Sequence, residues 1–279
     1  MAQSSERFLG WAGSALLLPR VAWLAIHAPR DWRAGWERYW ANVHSTGVGG
    51  DVLWDSGDLD EIPHYQALIR EHLDTSLPLV DVGCGNGRFT RRLAPLFPAT
   101  IGVDLAANAV SLARAESSGE DMPTFAPVDI TDPRAGSDIR SMIDGDANVF
   151  VRGVFHVLDP PDRAAAARNL HTIVGIHGRV LLAETNFPGS KMQYLRHLGA
   201  TPRRIPRPLE RAIADIPAPG HFGAGERGAA FPARDWRVVA DGATDILTIP
   251  LRGATAAEHI PGYYAVLASR SAGTDGTAR

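Results

Sequence analysis

The segment at residues 79–87, with the sequence LVDVGCGNG, constrains the fold of this chain more than any other feature. Its first four residues are largely apolar, which is typical of a strand buried in a parallel sheet. Three glycines follow at alternate positions, and glycine permits a sharp turn, close approach of a ligand to the backbone and tight packing of the next helix. We therefore predict a strand, a ligand-binding loop and a helix in succession.

Strand and helix patterns alternate after this loop. The predicted helices lie at 88–97, 106–117 and 161–174. The predicted strands, in addition to the first, lie at 100–105, 125–130, 147–153, 179–185, 245–251 and 262–269. This alternation indicates an α/β fold with a doubly wound, mostly parallel seven-stranded sheet, and the last two strands suggest an antiparallel edge pair. The ligand site of such a sheet lies at the carboxyl ends of its strands.

The N-terminal part differs from the rest in composition, because six of the seven tryptophans lie in the first 54 residues. Residues 8–28 are mostly apolar, but Arg20 at their centre argues against a membrane span, since a charge there is costly. Trp32, Trp36 and Trp40 share one face of a predicted helix. This face either packs on the main domain or forms an aromatic wall over a substrate.

These features divide the chain into two predicted parts. Residues 1–60 form a helical cap or, through residues 8–40, a peripheral contact with a membrane surface. Residues 61–279 form the main domain, with an insert rich in proline and glycine at 186–235, after the fifth strand.

The overall composition excludes several classes of protein. The formal net charge of −3 argues against a dedicated nucleic-acid-binding protein. Cys84 is the only cysteine, so an intrachain disulfide is excluded and a cytoplasmic location is expected. The spacing of the glycines also argues against a nicotinamide oxidoreductase, because a G-x-G-x-x-G fingerprint needs glycine where Arg88 or Thr90 stands.

Residues 81–87 consist of an acid followed, two residues later, by G-x-G-x-G. This segment resembles motif I of the class I S-adenosylmethionine-dependent methyltransferases. Asp104 ends the second strand, where that family places an acid on the ribose hydroxyls, and Asp129 ends the third, where it places a carboxylate beside the adenine amine. Residues 151–158, VRGVFHVL, resemble its fourth-strand segment. The resemblance implies a Rossmann-like methyltransferase fold with S-adenosyl-L-methionine as the cofactor.

The cofactor-binding residues that follow from this resemblance lie in the glycine loop and at the ends of the second, third and fourth strands. They are Asp81, Gly83, Gly85, Asn86, Gly87, Asp104, Leu105, Asp129, Ile130 and Arg152. Asp81 can accept a hydrogen bond from an ammonium or hydroxyl group. Two alternatives stay open, since Asp104 could instead cap the next helix and Asp129 could instead serve turn chemistry.

His156 and Glu184 are the candidate catalytic residues. His156 follows the fourth strand and is the best candidate for a general base, although it could instead cap that loop. Glu184, at the end of the fifth strand, is the second polar candidate, or a structural acceptor. Phe155 stands where some quinone O-methyltransferases of the family carry a metal-binding Glu, so no metal is expected.

The resemblance also implies a small-molecule acceptor covered by the N-terminal segment and the insert, with methyl transfer to oxygen slightly favoured over nitrogen or carbon. Six basic residues against one acid between 191 and 211 suggest an anionic or aromatic acceptor, a membrane surface, or a solvated loop. Transfer would proceed by in-line displacement, with positioning as the main contribution of the protein. The alternative is a protein that binds S-adenosylmethionine without transferring its methyl group.

Overall fold

The computed structural model describes residues 17–24, 26, 29–55, 61–117, 119, 122–251 and 257–270. The predicted segment at 8–28 therefore lies largely outside the described residues, but residues 17–24 are helical. Leu17 and Leu24, seven residues apart, are buried on one side of this helix. Among the described residues, no helix combines the length and apolar character needed to cross a membrane.

Seven strands form one sheet in the order β3-β2-β1-β4-β5-β7-β6. The strands are β1 (Leu79–Val82), β2 (Thr100–Asp104), β3 (Thr124–Pro127), β4 (Asn148–Arg152), β5 (Arg179–Thr185), β6 (Trp236–Thr248) and β7 (Glu258–Ser269). Strands β1 to β5 pair in parallel, and β7 runs antiparallel to β5. The predicted seven-stranded, mostly parallel sheet is confirmed.

Helices lie before the first strand and in most of the connections between strands. The α-helices are α1 (Trp32–Ala41), α2 (Glu61–His72), α3 (Arg88–Leu93), α4 (Ala107–Ala115), α5 (Ala135–Arg140), α6 (Pro160–Val174), α7 (Lys191–His197), α8 (Arg207–Asp215) and α9 (Ala224–Ala230). Short 3₁₀ turns lie at Ala94–Leu96 and Phe155–Val157. Nearly every residue of β1, β2, β4 and β5 is buried, as expected for the central strands of a sheet between helices.

Several elements differ from their predicted extents. Strand β6 begins at Trp236 rather than at 245, because Arg237, Asp241 and Gly242 interrupt the apolar residues of its partly exposed first half. It ends at Thr248 rather than at 251, two residues before Pro250. Strand β3 ends at Pro127 rather than at Ile130, and the predicted helix 88–97 changes to a 3₁₀ turn at Ala94.

The predicted insert at 186–235 contains three helices that the sequence pattern did not reveal. A capping box between Ser190 and Gln193 begins α7. Pro206 and Pro208 read as helix breakers in the sequence, but they stand at the start of α8, where proline is tolerated. Helices α2 and α5 were also not predicted.

The chain divides into two compact units. The first comprises Met1–Leu59, Phe187–Pro219 and Leu247–Ile260, and the second comprises Asp60–Asn186, Gly220–Ile246 and Pro261–Arg279. The second unit holds most of the sheet and all the predicted cofactor and catalytic residues.

Aromatic packing and ion pairs hold the first unit. The rings of Tyr39 and Trp54 stack at 5.2 Å between centroids, and Trp36 and Trp40 both contact Trp54 edge-on. Two arginine–aspartate pairs add to this packing, namely Arg38 with Asp215 at 2.7 Å and Arg211 with Asp51 at 3.1 Å. Two of the three tryptophans on the predicted helix face therefore pack against aromatic residues of their own unit.

Candidate active site

The order in which successive strands are added to the sheet reverses beside β1, so the loops that follow the parallel strands β1 and β4 are neighbours at the carboxyl edge. Gly83, in the first of these loops, has a φ of +75°, and a Cβ there would lie 2.4 Å from Cγ2 of Val154 in the second. Only glycine allows both that backbone conformation and that approach. The two loops are thereby held against each other at the switch point of the sheet.

The other two glycines of the loop also have positive φ values, +55° at Gly85 and +73° at Gly87. A Cβ at Gly87 would lie 2.6 Å from the ring of Phe125 on β3. The glycine at 87 is thus required for packing within the sheet, in addition to any approach by a ligand. Asn86, between them, is buried, and its side-chain amide lies 3.4 Å from Glu116.

Asp104 is the buried acid at the end of β2. Its Oδ2 accepts a hydrogen bond from the Gly85 backbone N–H at 2.9 Å, and its Oδ1 accepts one from the Ala106 N–H at 2.9 Å. The side chain therefore ties the glycine loop to β2 and does not cap α4, whose N-cap residue is Ala106. Its carboxylate oxygens are acceptors, which is the type of group that ligand hydroxyls need as a partner.

Asp81 is the buried acid at the end of β1. Its Oδ2 accepts a hydrogen bond from the Thr90 hydroxyl at 2.5 Å. The pKa of Asp81 is raised to about 7, chiefly by burial and also by the nearby negative charge of Asp104, while the Thr90 hydrogen bond and the positive charge of Arg152 act to lower it. Such a carboxyl gains from a cationic partner, because a positive charge restores its ionised form.

Asp129 and Ile130 follow β3. The Asp129 Oδ1 accepts hydrogen bonds from the N–H and the hydroxyl of Thr131, at 2.9 and 2.6 Å, so the turn chemistry considered for this residue is present. Asn169 of α6 fixes the same loop by donating to the carbonyl oxygens of Ile130 and Asp132, both at 2.7 Å. Asn169 was not predicted, since nothing in its helical surroundings indicates a link to residues 39 positions earlier.

These positions fit the expected cofactor. S-adenosylmethionine presents two ribose hydroxyls, an adenine amine and an ammonium group, all of them hydrogen-bond donors. Asp104, Asp81 and Asp129 place carboxylates at or just after the ends of three adjacent strands, and Leu105 adds a half-buried apolar side chain. Acceptors at these strand ends match the donors of the cofactor in type.

Glu184, at the end of β5, is fully buried and accepts four hydrogen bonds from the loop after β4. Its Oε1 accepts from the backbone N–H groups of Val154 and Phe155, both at 3.0 Å. Its Oε2 lies 3.1 Å from the backbone N of His156 and 2.7 Å from Nδ1 of the same residue. The sequence predicted Glu184 and His156 separately, and the structure brings them together.

These contacts favour one tautomer of the His156 ring. An ionised carboxylate offers only acceptors, so Nδ1 must carry the proton that it donates to Glu184. The neutral ring then has its lone pair on Nε2, which is the form that a general base needs. The side chain of His156 is 11% exposed, so it is largely covered but still reaches solvent.

Two further contacts that sequence reasoning missed fix the loop that carries His156. The Arg163 guanidinium of α6 donates to the carbonyl oxygen of Phe155 at 2.8 Å. The backbone N–H of Gly220 donates to the carbonyl oxygen of His156 at 2.8 Å. The loop is therefore held through its N–H groups by Glu184 and through its carbonyl groups by other elements of the same unit.

A second polar group lies close to this loop. Asn186 follows β5, and its Oδ1 is buried with no hydrogen-bond partner within the described part of the chain. A Cβ on Gly223 would lie 3.2 Å from this Oδ1 and 3.4 Å from Nε2 of His221. Glycine at 223 thus leaves room between an amide and an imidazole, three residues from the Gly220 contact with His156.

Arg152, predicted to contact the cofactor, ends β4 and is paired with Glu61 at the start of α2. Its Nε and one terminal nitrogen lie 2.7 and 2.8 Å from the two carboxylate oxygens of Glu61. The Tyr65 hydroxyl donates to the same carboxylate at 2.8 Å, and the Arg152 guanidinium lies 4.6 Å from the ring centroid of Phe89. Glu61 and Tyr65 were not predicted.

No group of three or more His, Cys, Asp or Glu side chains is arranged to hold a metal ion within the ranges that the structure describes.

Comparisons with known proteins match this chain to methyltransferases. A family model described as a methyltransferase domain matches residues 80–180, the stretch from β1 to β5. Methyltransferase nsrG of Aspergillus novofumigatus is 33% identical over 191 residues, which cover 62% of this chain and 69% of that protein.

Solved structures show the same fold. A SAM-dependent methyltransferase from Anabaena variabilis is 25% identical with a TM-score of 0.75, and the match covers 87% of this chain and 97% of that one. A structure solved for the conversion of a disulfide bond into a thioacetal group during echinomycin biosynthesis is 21% identical with a TM-score of 0.58. That match covers 78% of this chain and 84% of that one.

Proposed function

This chain belongs to the class I S-adenosylmethionine-dependent methyltransferases, and from that premise we propose that it methylates an oxygen of a small-molecule acceptor with His156 as general base. The observation that carries the proposal is the 2.7 Å contact between Nδ1 of His156 and the buried carboxylate of Glu184. This contact holds a histidine in one tautomer just after β4, at the edge of the sheet where ligands bind.

Bound S-adenosylmethionine supplies an electrophilic methyl group on a sulfonium, whose sulfur leaves with the bonding electrons. The chain needs no nucleophile of its own, so its residues bind, orient and exclude water. We assign the ribose hydroxyls to Asp104, the ammonium group to Asp81 and the adenine amine to Asp129. Glycines 83, 85 and 87, with Asn86, Leu105 and Ile130, form the surrounding backbone and apolar contacts.

His156 supplies the proton acceptor that a hydroxyl acceptor requires. As the acceptor oxygen bonds to the methyl carbon, its proton passes to Nε2 of His156. The ring is then a cation, and the buried Glu184 carboxylate at Nδ1 stabilises it without itself taking the proton. A neutral amine needs no base before it attacks, so an oriented base favours oxygen as the methylated atom.

Asn186 suggests that the acceptor carries a further hydrogen-bond donor. A buried amide oxygen without a partner costs about 1–3 kcal/mol, and a hydroxyl or N–H of the acceptor would remove that cost. Replacement by Leu should raise KM more than it lowers kcat, and an unchanged KM would exclude this role. The relative from echinomycin biosynthesis shows that the same fold serves small-molecule chemistry in another protein.

The first experiment is isothermal titration with S-adenosylmethionine and with S-adenosylhomocysteine, followed by transfer of labelled methyl groups to a panel of phenolic and anionic hydroxy compounds. Binding of both ligands together with transfer supports the proposal. Binding without transfer to any hydroxyl compound would favour the alternative, a protein that binds the cofactor without transferring methyl groups to oxygen.

His156→Gln should then lower kcat by about 10²- to 10⁴-fold while affinity for S-adenosylhomocysteine stays within twofold. His177→Gln is a matched control, because the Nδ1 of His177 also lies 2.9 Å from a carboxylate, that of Asp146, before β5 begins. A His156→Gln enzyme as active as the His177→Gln control would rule out the base.

Peripheral membrane contact is a separate proposal for the N-terminal helix. Leu18, Trp23 and Ile26 are 52%, 62% and 79% exposed, and tryptophan suits the interface of a bilayer. Co-sedimentation with vesicles that contain anionic lipid tests it, with Trp23→Ala as the variant. Equal recovery of both proteins in the supernatant would exclude the contact.

A further inference from the structure

The ion pair between Arg152 and Glu61 is buried as deeply as the core. The two side chains are 6% and 2% exposed, and the contact is bidentate. Burying two charges costs several kcal/mol per ion before their attraction is counted, so such a pair contributes little net stability compared with apolar residues. The pair therefore needs a reason other than the stability of the fold.

The position of Arg152 indicates that reason. It ends β4, next to β1, whose register places Val151 beside Val82. Its guanidinium lies over Phe89, the second residue of the helix that follows the glycine loop. Its positive charge lowers the pKa of Asp81 against the stronger effect of burial. Arg152 is thus a cation close enough to act on the acid that we assign to the ammonium group of the cofactor.

We propose that Glu61 is a positioning residue, which neutralises Arg152 and thereby keeps the Asp81 carboxylate available for the cationic amino group of the cofactor. The inference rests on the proposed role of Asp81. It assigns Arg152 a place in the electrostatics of the site rather than a direct contact with S-adenosylmethionine, and it explains why Glu61, 91 residues away in sequence, is buried here.

The other groups around Asp81 do not replace this function. Thr90 donates a neutral hydroxyl from α3, Asp104 adds a negative charge from β2, and the buried Cys84 adds a neutral thiol in the loop, whose pKa burial raises. Arg152 is the only cation among the groups that shift the pKa of Asp81 in the described part of the chain. Without Glu61, its charge would be balanced by Asp81 instead.

The test compares Glu61→Gln, Arg152→Met and the double variant by titration with S-adenosylhomocysteine. We expect Glu61→Gln to lose at least tenfold in affinity, because the Arg152 charge is then balanced by Asp81, which is no longer available to the cofactor. The double variant removes both charges and should recover affinity to within about threefold of the parent protein. Tyr65→Phe, which keeps the ion pair and removes only the hydroxyl bonded to Glu61, is the control and should bind as the parent does.

A direct contact between Arg152 and the cofactor gives the opposite order. Arg152→Met would then lose affinity, and the double variant would bind no better than Glu61→Gln, which would overturn the inference. If Glu61→Gln does not fold, the double variant decides alone, because it contains no unpaired buried charge. Parent-like affinity supports the inference, and a tenfold loss in a folded double variant refutes it.

The pH dependence separates electrostatic positioning from a purely structural role. The affinity of the parent for S-adenosylhomocysteine should rise between pH 5.5 and 7.5, as Asp81 loses its proton. In Glu61→Gln the affinity should be low and nearly constant, because the unbalanced Arg152 keeps Asp81 ionised. A loss of equal size at every pH, with the rise intact, would mean that Glu61 only supports the fold.

Asp81→Asn distinguishes failure of this inference from failure of the proposed function. If Asp81→Asn binds S-adenosylhomocysteine as tightly as the parent, the cofactor role of Asp81 is wrong and the inference fails with it. If Asp81→Asn loses affinity while Glu61→Gln does not, the cofactor role stands and only the role of Glu61 is refuted.

Discussion

Replacement of Asp81 by Asn should change how the stability of this protein depends on pH. The pKa of this fully buried carboxyl is raised from 3.8 to about 7, chiefly by burial and then by the negative charge of Asp104. Between these two values the folded protein holds a proton that the unfolded chain releases. The free energy of unfolding therefore falls as pH rises through this window, by about 1.4 kcal/mol per unit and about 4 kcal/mol in all.

Asn is nearly isosteric with Asp and can still accept the Thr90 hydrogen bond, but it does not ionise. The Asp81→Asn variant should therefore lack this slope and should be more stable than the parent at pH 7.5 by up to about 4 kcal/mol. At pH 4.5, where the parent carboxyl is protonated, the two proteins should differ by less than about 1 kcal/mol.

Urea unfolding of both proteins at half-unit steps from pH 4.5 to 7.5 measures this difference directly. Acids whose pKa is lowered in the folded state, such as Asp146 with a pKa of about 2, act below this range and are shared by both proteins. Parallel stability curves would show that Asp81 ionises in the folded protein as it does in the unfolded chain, and the electrostatic argument about this site would fail.

Two further substitutions test the cofactor loop. Asp104→Ala should weaken S-adenosylmethionine binding about tenfold or more, since it removes the bond to the loop and the proposed bonds to the ribose, and unchanged affinity in a folded variant would exclude the ribose role. Gly87→Ala should destabilise the protein by about 2–4 kcal/mol, because its φ is +73° and a Cβ would lie 2.6 Å from the Phe125 ring. A thermal unfolding midpoint within 2 °C of the parent would refute that account.

The sequence was sufficient where local patterns carried the information. The loop at 81–87, with acids at the ends of the next two strands, predicted both the sheet and the elements that carry the proposed cofactor site. Strand β5 was predicted with its observed bounds, because the middle of RVLLAET is a continuous apolar run, which is typical of a buried strand. The family follows from these residues, and the comparisons confirm it.

The sequence was insufficient where function depends on partners distant in the chain. Arg152 was predicted as a cofactor contact because it ends β4, but nothing near it in sequence indicates that Glu61 accepts hydrogen bonds from two nitrogens of its guanidinium. His156 and Glu184 were proposed as separate candidates, since 28 residues and a helix separate them. Such pairs arise when the fold brings distant segments of the chain together, and periodicity does not encode them.

Glu184 and Asp81 differ in the number of hydrogen bonds that each accepts, and this difference indicates different roles for the two carboxylates. Glu184 accepts four N–H groups, which fills the acceptor positions of a carboxylate, so it orients a loop and a histidine and has little capacity left for a ligand. Asp81 accepts one hydrogen bond among the described residues, from a neutral hydroxyl, and its burial keeps its charge costly until a cation arrives. Glu184, with its acceptor positions taken, lies beside the proposed base and suits proton transfer there. Asp81, with acceptor positions left for a ligand, lies beside the glycine loop and suits recognition of a cationic cofactor.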